Sequence, residues 1–347
     1  LLATVEPFTH AFTSLALSRA GQRRLPRFGT AMLVVSGLAP DLDYASYAGG
    51  PEAFMRFHRS ALHSIAGAAL LAAVIAAAFC ALDRKLPAKK SVQTRTFPPL
   101  AFVIAFAVCA VGVAGHVLLD LASGVGVQLL WPFRSHWYGW DLAGNFDPWI
   151  LVLLVLGLLV PLLFKLVNEE VTSGKKTATG DRAAVAVLVL LVAYLGARAH
   201  YHGEAVDLLL SREYHGRVAL SAEAFPESVT MFAWRGMAVT DNTIEEVDVP
   251  LGPGEFDSDR SVTHYKPEES PALEVGQKTA ATARFLDYAR VPFASVRRVE
   301  ADYRFEVHDF RFEPGDSDPA NVFVRVDMDS QFHIRREEFL FASSPND

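Results

Sequence analysis

The sequence predicts an α-helical multi-pass membrane bundle followed by a small, mostly β extracytoplasmic domain. Three observations carry this. Charge divides near residue 203: residues 1–203 hold 17 Lys/Arg against 11 Asp/Glu, and residues 204–347 hold 15 against 28, formally +6 and −13. Long apolar runs are confined to the first part. Past Leu210 the apolar residues come in short alternating stretches. The expected division is therefore residues 1–203 for the membrane part and 204–347 for a soluble part. Such a chain is no purely soluble enzyme and no disordered segment, and it is no nucleic-acid binder recruited by bulk positive charge. Cys80 and Cys109 both lie inside apolar runs, so no disulfide framework is indicated.

A bilayer-spanning helix needs roughly 20 apolar residues. Ser60–Leu82, Phe97–Ala122 and Pro148–Val167 meet that length, and a fourth apolar run extends from Arg182 to about Ala199. Two shorter stretches, Phe8–Ala20 and Phe28–Pro40, flank the basic turn Gly21–Arg27 and read as a helical hairpin packed against the others. A secretory signal is not expected, because Glu6 and His10 stand where a basic n-region would be and no cleavage site follows. The lipid bilayer is thus the first partner implied.

Orientation follows from lysine and arginine in short loops. Arg23, Arg24 and Arg27 mark the first turn; Arg84, Lys85, Lys89, Lys90 and Arg95 mark the next loop. Lys175 and Lys176 mark the loop before the last helix. If these are cytoplasmic, residues 41–59, 123–147 and everything after residue 200 lie outside. In the acidic tail, Ser228–Val239, Tyr303–Phe312, Asn321–Met328 and Gln331–Phe341 read as strands, and Thr279–Tyr288 as a helix. His215, His264, His308 and His333 are scattered through it and fit ordinary surface roles.

Ionisable residues at membrane-helix ends carry functional weight. His10, Asp41, Asp43, His58, His63, His116, Asp120, Asp141 and Asp147 all fall on the outer side of this topology, opposite the basic clusters. The charge rule used none of them. His116 and Asp120, four apart, project from one helix face. Asp41 and Asp43 share a side if that segment is extended. His58 and His63 converge only if His58 precedes a helix starting near Ser60. A mixed His/Asp set suits zinc, or two divalent ions bridged by a carboxylate, and such a site draws a nucleophile from water near neutral pH.

Each member also has an ordinary reading. His116 alone is a packed helix residue, and Asp41 and Asp43 can simply end a helix. Arg59 fits a pairing with a site carboxylate or with lipid phosphate, whereas Arg56 reads as a headgroup anchor. His136 lies in the aromatic stretch Trp131–Trp140, an interfacial belt with Tyr138 and Trp149 as anchors. His200 and His202 fit juxtamembrane surface positions. Only the set as a whole resists dismissal.

Four ordered motifs carry a resemblance. Pro7-Phe8-Thr9-His10-Ala11, Leu38-Ala39-Pro40-Asp41-Leu42-Asp43, Phe57-His58-Arg59-Ser60-Ala61-Leu62-His63-Ser64 and Gly115-His116-Val117-Leu118-Leu119-Asp120 resemble the bacterial membrane-bound metal-dependent hydrolases, also described as LexA-binding and inner-membrane-associated. Leu130-Trp131-Pro132-Phe133, Asp141 and Asn145-Phe146-Asp147-Pro148-Trp149 fit the same pattern, which covers roughly residues 7–167. The resemblance implies a multi-pass protein of the bacterial inner membrane with a metal centre. More distantly the motifs look like those of the helical zinc-dependent phospholipases C, which also draw His and Asp ligands from several helices.

The resulting expectation is a metal-dependent hydrolase with its site at the outer face of the membrane. The metal ligands expected are His10, Asp41, Asp43, His58, His63, His116 and Asp120, holding one or two divalent ions, zinc by ligand type. Asp43, His63 and Asp120 are the expected catalytic residues, with Asp43 as base, and Arg59, Asp141 and Asp147 the expected supporting residues. A phosphoester or lipid-linked substrate suits a site at headgroup depth. No nucleophile elbow or glycine-rich phosphate loop competes. The alternative is a binding or regulatory protein whose bundle the metal stabilises. A transporter is disfavoured, because Ile65–Phe79, Pro98–Ala114 and Ile150–Phe164 hold no charged residue.

Overall fold

The computed structural model describes residues 6–86, 99–144, 146–171, 179–227, 230–252, 254–312 and 318–342. Lys89, Lys90, Arg95, Lys175 and Lys176, which enter the orientation argument, lie outside them. The described chain is a helical N-terminal region followed by antiparallel β-sheets.

The helices are α1 (Glu6–Gly21), α2 (Gly29–Leu38), α3 (Pro51–Phe57), α4 (Ile65–Lys85), α5 (Phe102–Ala122), α6 (Pro148–Val171) and α7 (Thr179–Leu210), with a 3₁₀ stretch, Pro40–Gly49, between α2 and α3. Three have membrane length and apolarity: α4, α5 and, within α7, Asp181–Leu210. The described apolar stretch of α6, Pro148–Phe164, is shorter. α4 starts at Ile65 rather than near Ser60, because the Ser64 hydroxyl accepts from Gly67 N and caps it.

α5 is the central helix. Ala105, Cys109, Gly112, Val113, His116, Val117 and Asp120 are buried along one side at helical spacing. α2 lies closely on it because α5 presents a glycine, where a Cβ at Gly112 would collide with the Leu33 carbonyl and Ser36; Gly37 of α2 gives the same room to α1, where a Cβ would collide with Ser14. At the basic end Arg27 pairs with Asp83 at 2.9 Å and Arg23 with Asp181 at 2.7 Å. The α1–α2 turn, the end of α4 and the start of α7 therefore meet at one end of the bundle.

The β region has two four-stranded antiparallel sheets. One has the order β3 (Ser221–Pro226), β4 (Ala233–Val239), β5 (Thr243–Pro250), β6 (Val262–Tyr265), and it follows a small hairpin of β1 (Glu213–Tyr214) and β2 (Arg217–Val218). The other has the order β10 (Ile334–Phe341), β9 (Val322–Met328), β8 (Asp302–Asp309), β7 (Pro292–Val299), with α8 (Pro271–Gln277) and α9 (Ala280–Leu286) between the sheets in sequence. Strand alternation sorts the faces. On β4, Trp234 and Ala238 join Ala205 and Leu209 of α7, while Met237 joins Phe225, Ile244 and Val291. Phe305, Val324, Val326 and Met328 of the second sheet pack with Leu273 and Phe285, and also with Phe54, Met55, Val125 and Trp137 of the helical region. Arg311 fastens the same junction, donating to Val125 O and Tyr288 O at 3.1 Å each and to Asp309 at 2.6 Å.

Candidate metal centre

Histidines and aspartates from four segments meet at the end of the bundle opposite the basic turns. α1 supplies His10, the 3₁₀ stretch Asp41 and Asp43, the α3–α4 connection His58 and His63, and α5 His116 and Asp120. The helical spacing of the α5 pair puts His116 Nε2 3.1 Å from Asp120 Oδ2. His63 Nε2 lies 2.9 Å from that same oxygen and 3.1 Å from His116 Nε2. His10 Nε2 approaches the other oxygen, Asp120 Oδ1, at 3.3 Å, and its ring stacks on His116 with centroids 3.8 Å apart. Asp41 Oδ1 is 3.5 Å from His116 Nε2. All but the half-buried Asp41 and Asp43 are buried.

The tautomers follow from what surrounds the ring nitrogens. His116 Nδ1 sits 2.8 Å from Gly37 O, which can only accept, so Nδ1 donates and Nε2 is left as a lone pair facing the cluster. His63 Nδ1 lies 3.1 Å from Asp43 Oδ2, the arrangement of a carboxylate behind a ligating histidine. Asp43 is fully engaged: Oδ1 meets His58 Nδ1 at 2.9 Å, and Oδ2 also accepts from Arg59 N at 2.8 Å. Burial alone would raise the Asp43 carboxyl, but hydrogen bonds from His58 and His63 outweigh it and hold it well below the carboxylate range. Burial would likewise depress His63, yet Asp120 and Asp43 bring it to about 9.

Asp41 and Asp43 do not share a side, because the segment is 3₁₀ rather than extended. At three residues per turn, positions two apart point about 120° apart. Asp41 turns to His116 and Asp43 to His58 and His63. His58 caps the end of α3, where its ring packs against Phe54 and Tyr44, both with centroids 4.4 Å away. It touches the cluster through Asp43. Arg59, buried at a φ of 55°, donates to Ser123 Oγ at 2.6 Å and lies 3.5 Å from Asp120 Oδ1. Asp141 and Asp147 are engaged elsewhere. Asp141 receives both of its hydrogen bonds from Arg290 Nη1, at 2.7 and 2.8 Å, while Arg290 Nη2 binds Glu223. Asp147 caps α6 through Trp149 N and Ile150 N and accepts from the Tyr194 hydroxyl.

The donor set fits a metal ion in kind. Bonds of about 2.0–2.2 Å in tetrahedral geometry place neighbouring ligand atoms about 3.3–3.6 Å apart; the His10–Asp120 and Asp41–His116 contacts, 3.3 and 3.5 Å, meet this, and the 2.9–3.1 Å contacts among His63, His116 and Asp120 are shorter. Asp120 Oδ2 and Asp41 Oδ2 are buried without a hydrogen-bond partner, although two imidazole nitrogens crowd the former. Among the described residues, two groups are compatible with an ion, His10/His116/Asp120 and Asp41/His63/His116, and they share His116. Against known families, residues 5–205 match the model of the YdjM inner membrane protein. The chain belongs to the YdjM inner membrane protein family. Searches of curated proteins and of solved structures return no match. The YdjM match covers every residue of the cluster and stops short of the β-sheets. It identifies an inner membrane protein, in keeping with the three membrane-length helices.

Gly37 and Ser123 also belong to this site, and sequence reasoning passed over both. Gly37 acts through its carbonyl, and Ser123 through Arg59, 64 residues away. Only contact in the fold reveals either.

Proposed function

We propose that this chain is an integral membrane metal-dependent hydrolase acting on a phosphoester or lipid-linked substrate at the outer face of the inner membrane. One observation carries the reading: two buried imidazole Nε2 atoms, of His63 and His116, converge within 3.1 Å of Asp120 Oδ2, with His10 and Asp41 beside them. His10, Asp41, His63, His116 and Asp120 would hold one or two divalent ions, with zinc favoured by the nitrogen and carboxylate donors. A bound ion of this kind supplies Lewis acidity and brings the pKa of water toward neutrality. The chain's own residues do the rest. Gly37 O fixes the His116 ring, and Asp43 holds His63 and in turn is held by His58. Arg59, braced by Ser123, balances the charge of Asp120. Asp41 and Asp120 each keep one oxygen without a hydrogen bond, and Asp41 is the more exposed of the two, so it is the carboxylate placed to take a proton from an attacking water. Asp43, hydrogen-bonded by His58 and by Arg59 N and 3.1 Å from His63 Nδ1, is a positioning residue rather than the base.

The soluble part, residues 204–347, is assigned to the outside with the site. Arg23, Arg27, Arg84 and Lys85 lie at the opposite end of the bundle, which supports that orientation. The deep burial of the cluster favours a second reading, a closed metal site that stabilises the bundle without catalysis. Metal analysis of purified protein, followed by turnover of phosphomonoester and phosphodiester lipids, separates the two. Metal without any turnover would leave only the second.

A further inference from the structure

Between α4 and α5 runs a groove of about 370 Å³ that begins at His63. Apart from His63 its lining is wholly apolar. Val113 and Val117 are buried, whereas Ala69 and Ala114 are exposed between the outward-facing Ile65 and Leu118. We propose that the substrate is a lipid phosphoester that enters sideways from the bilayer, one hydrocarbon chain in this groove and its headgroup at His63. This rests on the hydrolase reading above.

The length suits a hydrocarbon chain. The lining residues on α5 extend from Phe106 to Leu121, about 22 Å along the helix at 1.5 Å per residue. That is more than half of a hydrocarbon core about 30 Å thick. The surroundings also fit a lipid. Both helices have membrane length, so the open side of the groove faces hydrocarbon. The polarity runs from apolar along the helices to His/Asp at the end, matching an amphiphile with an anionic head.

Around His58 the aqueous side is packed over. Phe54, whose ring stacks on His58, and Met55, with Val125 and Trp137, are built into the core of the second β-sheet. Tyr47, on the same 3₁₀ stretch as Asp41 and Asp43, stacks on Phe341 of β10 with centroids 4.8 Å apart. The groove reaches a cluster residue, His63, from the lipid-facing surface.

The test compares two phosphodiesters with one leaving group, hexadecyl and methyl p-nitrophenyl phosphate, on the full chain in vesicles. Ala114→Phe fills the exposed groove without burying new volume. It should lower the hexadecyl-to-methyl ratio of kcat/KM by about tenfold or more, since binding energy from the remote chain is what it removes. Val189→Phe, on an exposed position of α7, should leave that ratio unchanged. An unaltered ratio in Ala114→Phe overturns the groove. A second measurement does not need turnover: a hexadecyl phosphate bearing a photoreactive group in its chain should label α4 and α5, and less so in Ala114→Phe. Labelling spread equally over α7 also overturns the proposal. Groove labelling without hydrolysis of either ester would sink the hydrolase reading and leave a lipid-binding groove.

Discussion

Asp43 passes by its neighbour Asp41 and places Oδ2 3.1 Å from the Nδ1 of His63, on the far side of that ring from Asp120. The imidazole is thus gripped between two carboxylates. The first prediction follows from this pair. Asp43→Asn keeps the shape but no longer favours a proton on Nδ1, so His63 loses its fixed tautomer. Metal affinity should fall by roughly 10–100-fold, the usual loss for a partner behind a ligating histidine. Competition of the variant and wild type against a metal-sensitive dye measures it. Equal affinities would remove Asp43 from the site.

Substitution within the cluster separates catalysis from scaffolding. His116→Ala deletes a nitrogen that both candidate metal groups share, and Asp120→Asn removes a charge at constant shape. Turnover of a phosphoester should drop by orders of magnitude in both, with detergent-solubilised yield and thermal midpoint largely kept. Packing of α2, α4 and α5 through small and apolar residues does not depend on the ion. Variants that instead fail to fold would show that metal binding is folding energy here, and the structural reading would stand.

Orientation is checked by labelling. A cysteine at Ser258 should react with an impermeant thiol reagent on intact spheroplasts, and one at Ser91 should react only after lysis. The charge of the short loops demands that order. Reversed labelling would put both the cluster and the β region in the cytoplasm.

How much of this was legible beforehand depends on the range of the interaction. α5 announced itself, because its apolar run and its His116–Asp120 spacing are both local periodicities. So did β9, whose Val324, Val326 and Met328 alternate toward the core. The Asp41–Asp43 pair misled, since the extended reading required a backbone that Pro40 and the tight α2 ending replaced with 3₁₀ turns. β5 and β7 went unassigned: β5 is Thr243–Pro250 with three acidic residues, and β7 carries Arg297 and Arg298. Glu245, Glu246 and Arg297 find their partners across the sheet. Asp141 read as part of the outer constellation, but Arg290 lies 149 residues away in sequence and no spacing could reveal it.

The last prediction concerns acid stability of the β region, where the charges lie outside the membrane. Glu306 on β8 is buried, and burial alone would raise its carboxyl. The nearby His308 and a hydrogen bond from Arg325, with the charges of Arg297 and Arg325, overcome that and hold it at about 2. The Arg325 Nε contact is 2.7 Å and the Arg297 Nη2 contact 3.1 Å. An unfolded glutamate titrates at 4.5. The folded state therefore binds fewer protons between these values, so its stabilisation is complete above pH 4.5 and is lost as pH falls through about 2. Glu306→Gln removes the charge and leaves two arginines facing a neutral amide, a cost of about 1–3 kcal/mol at pH 7. The thermal midpoint of the variant should lie below that of wild type at pH 7, and the gap should narrow steadily from pH 4.5 downward. A gap that stays constant across this range would mean that packing, not the ionised carboxylate, holds β7, β8 and β9 together.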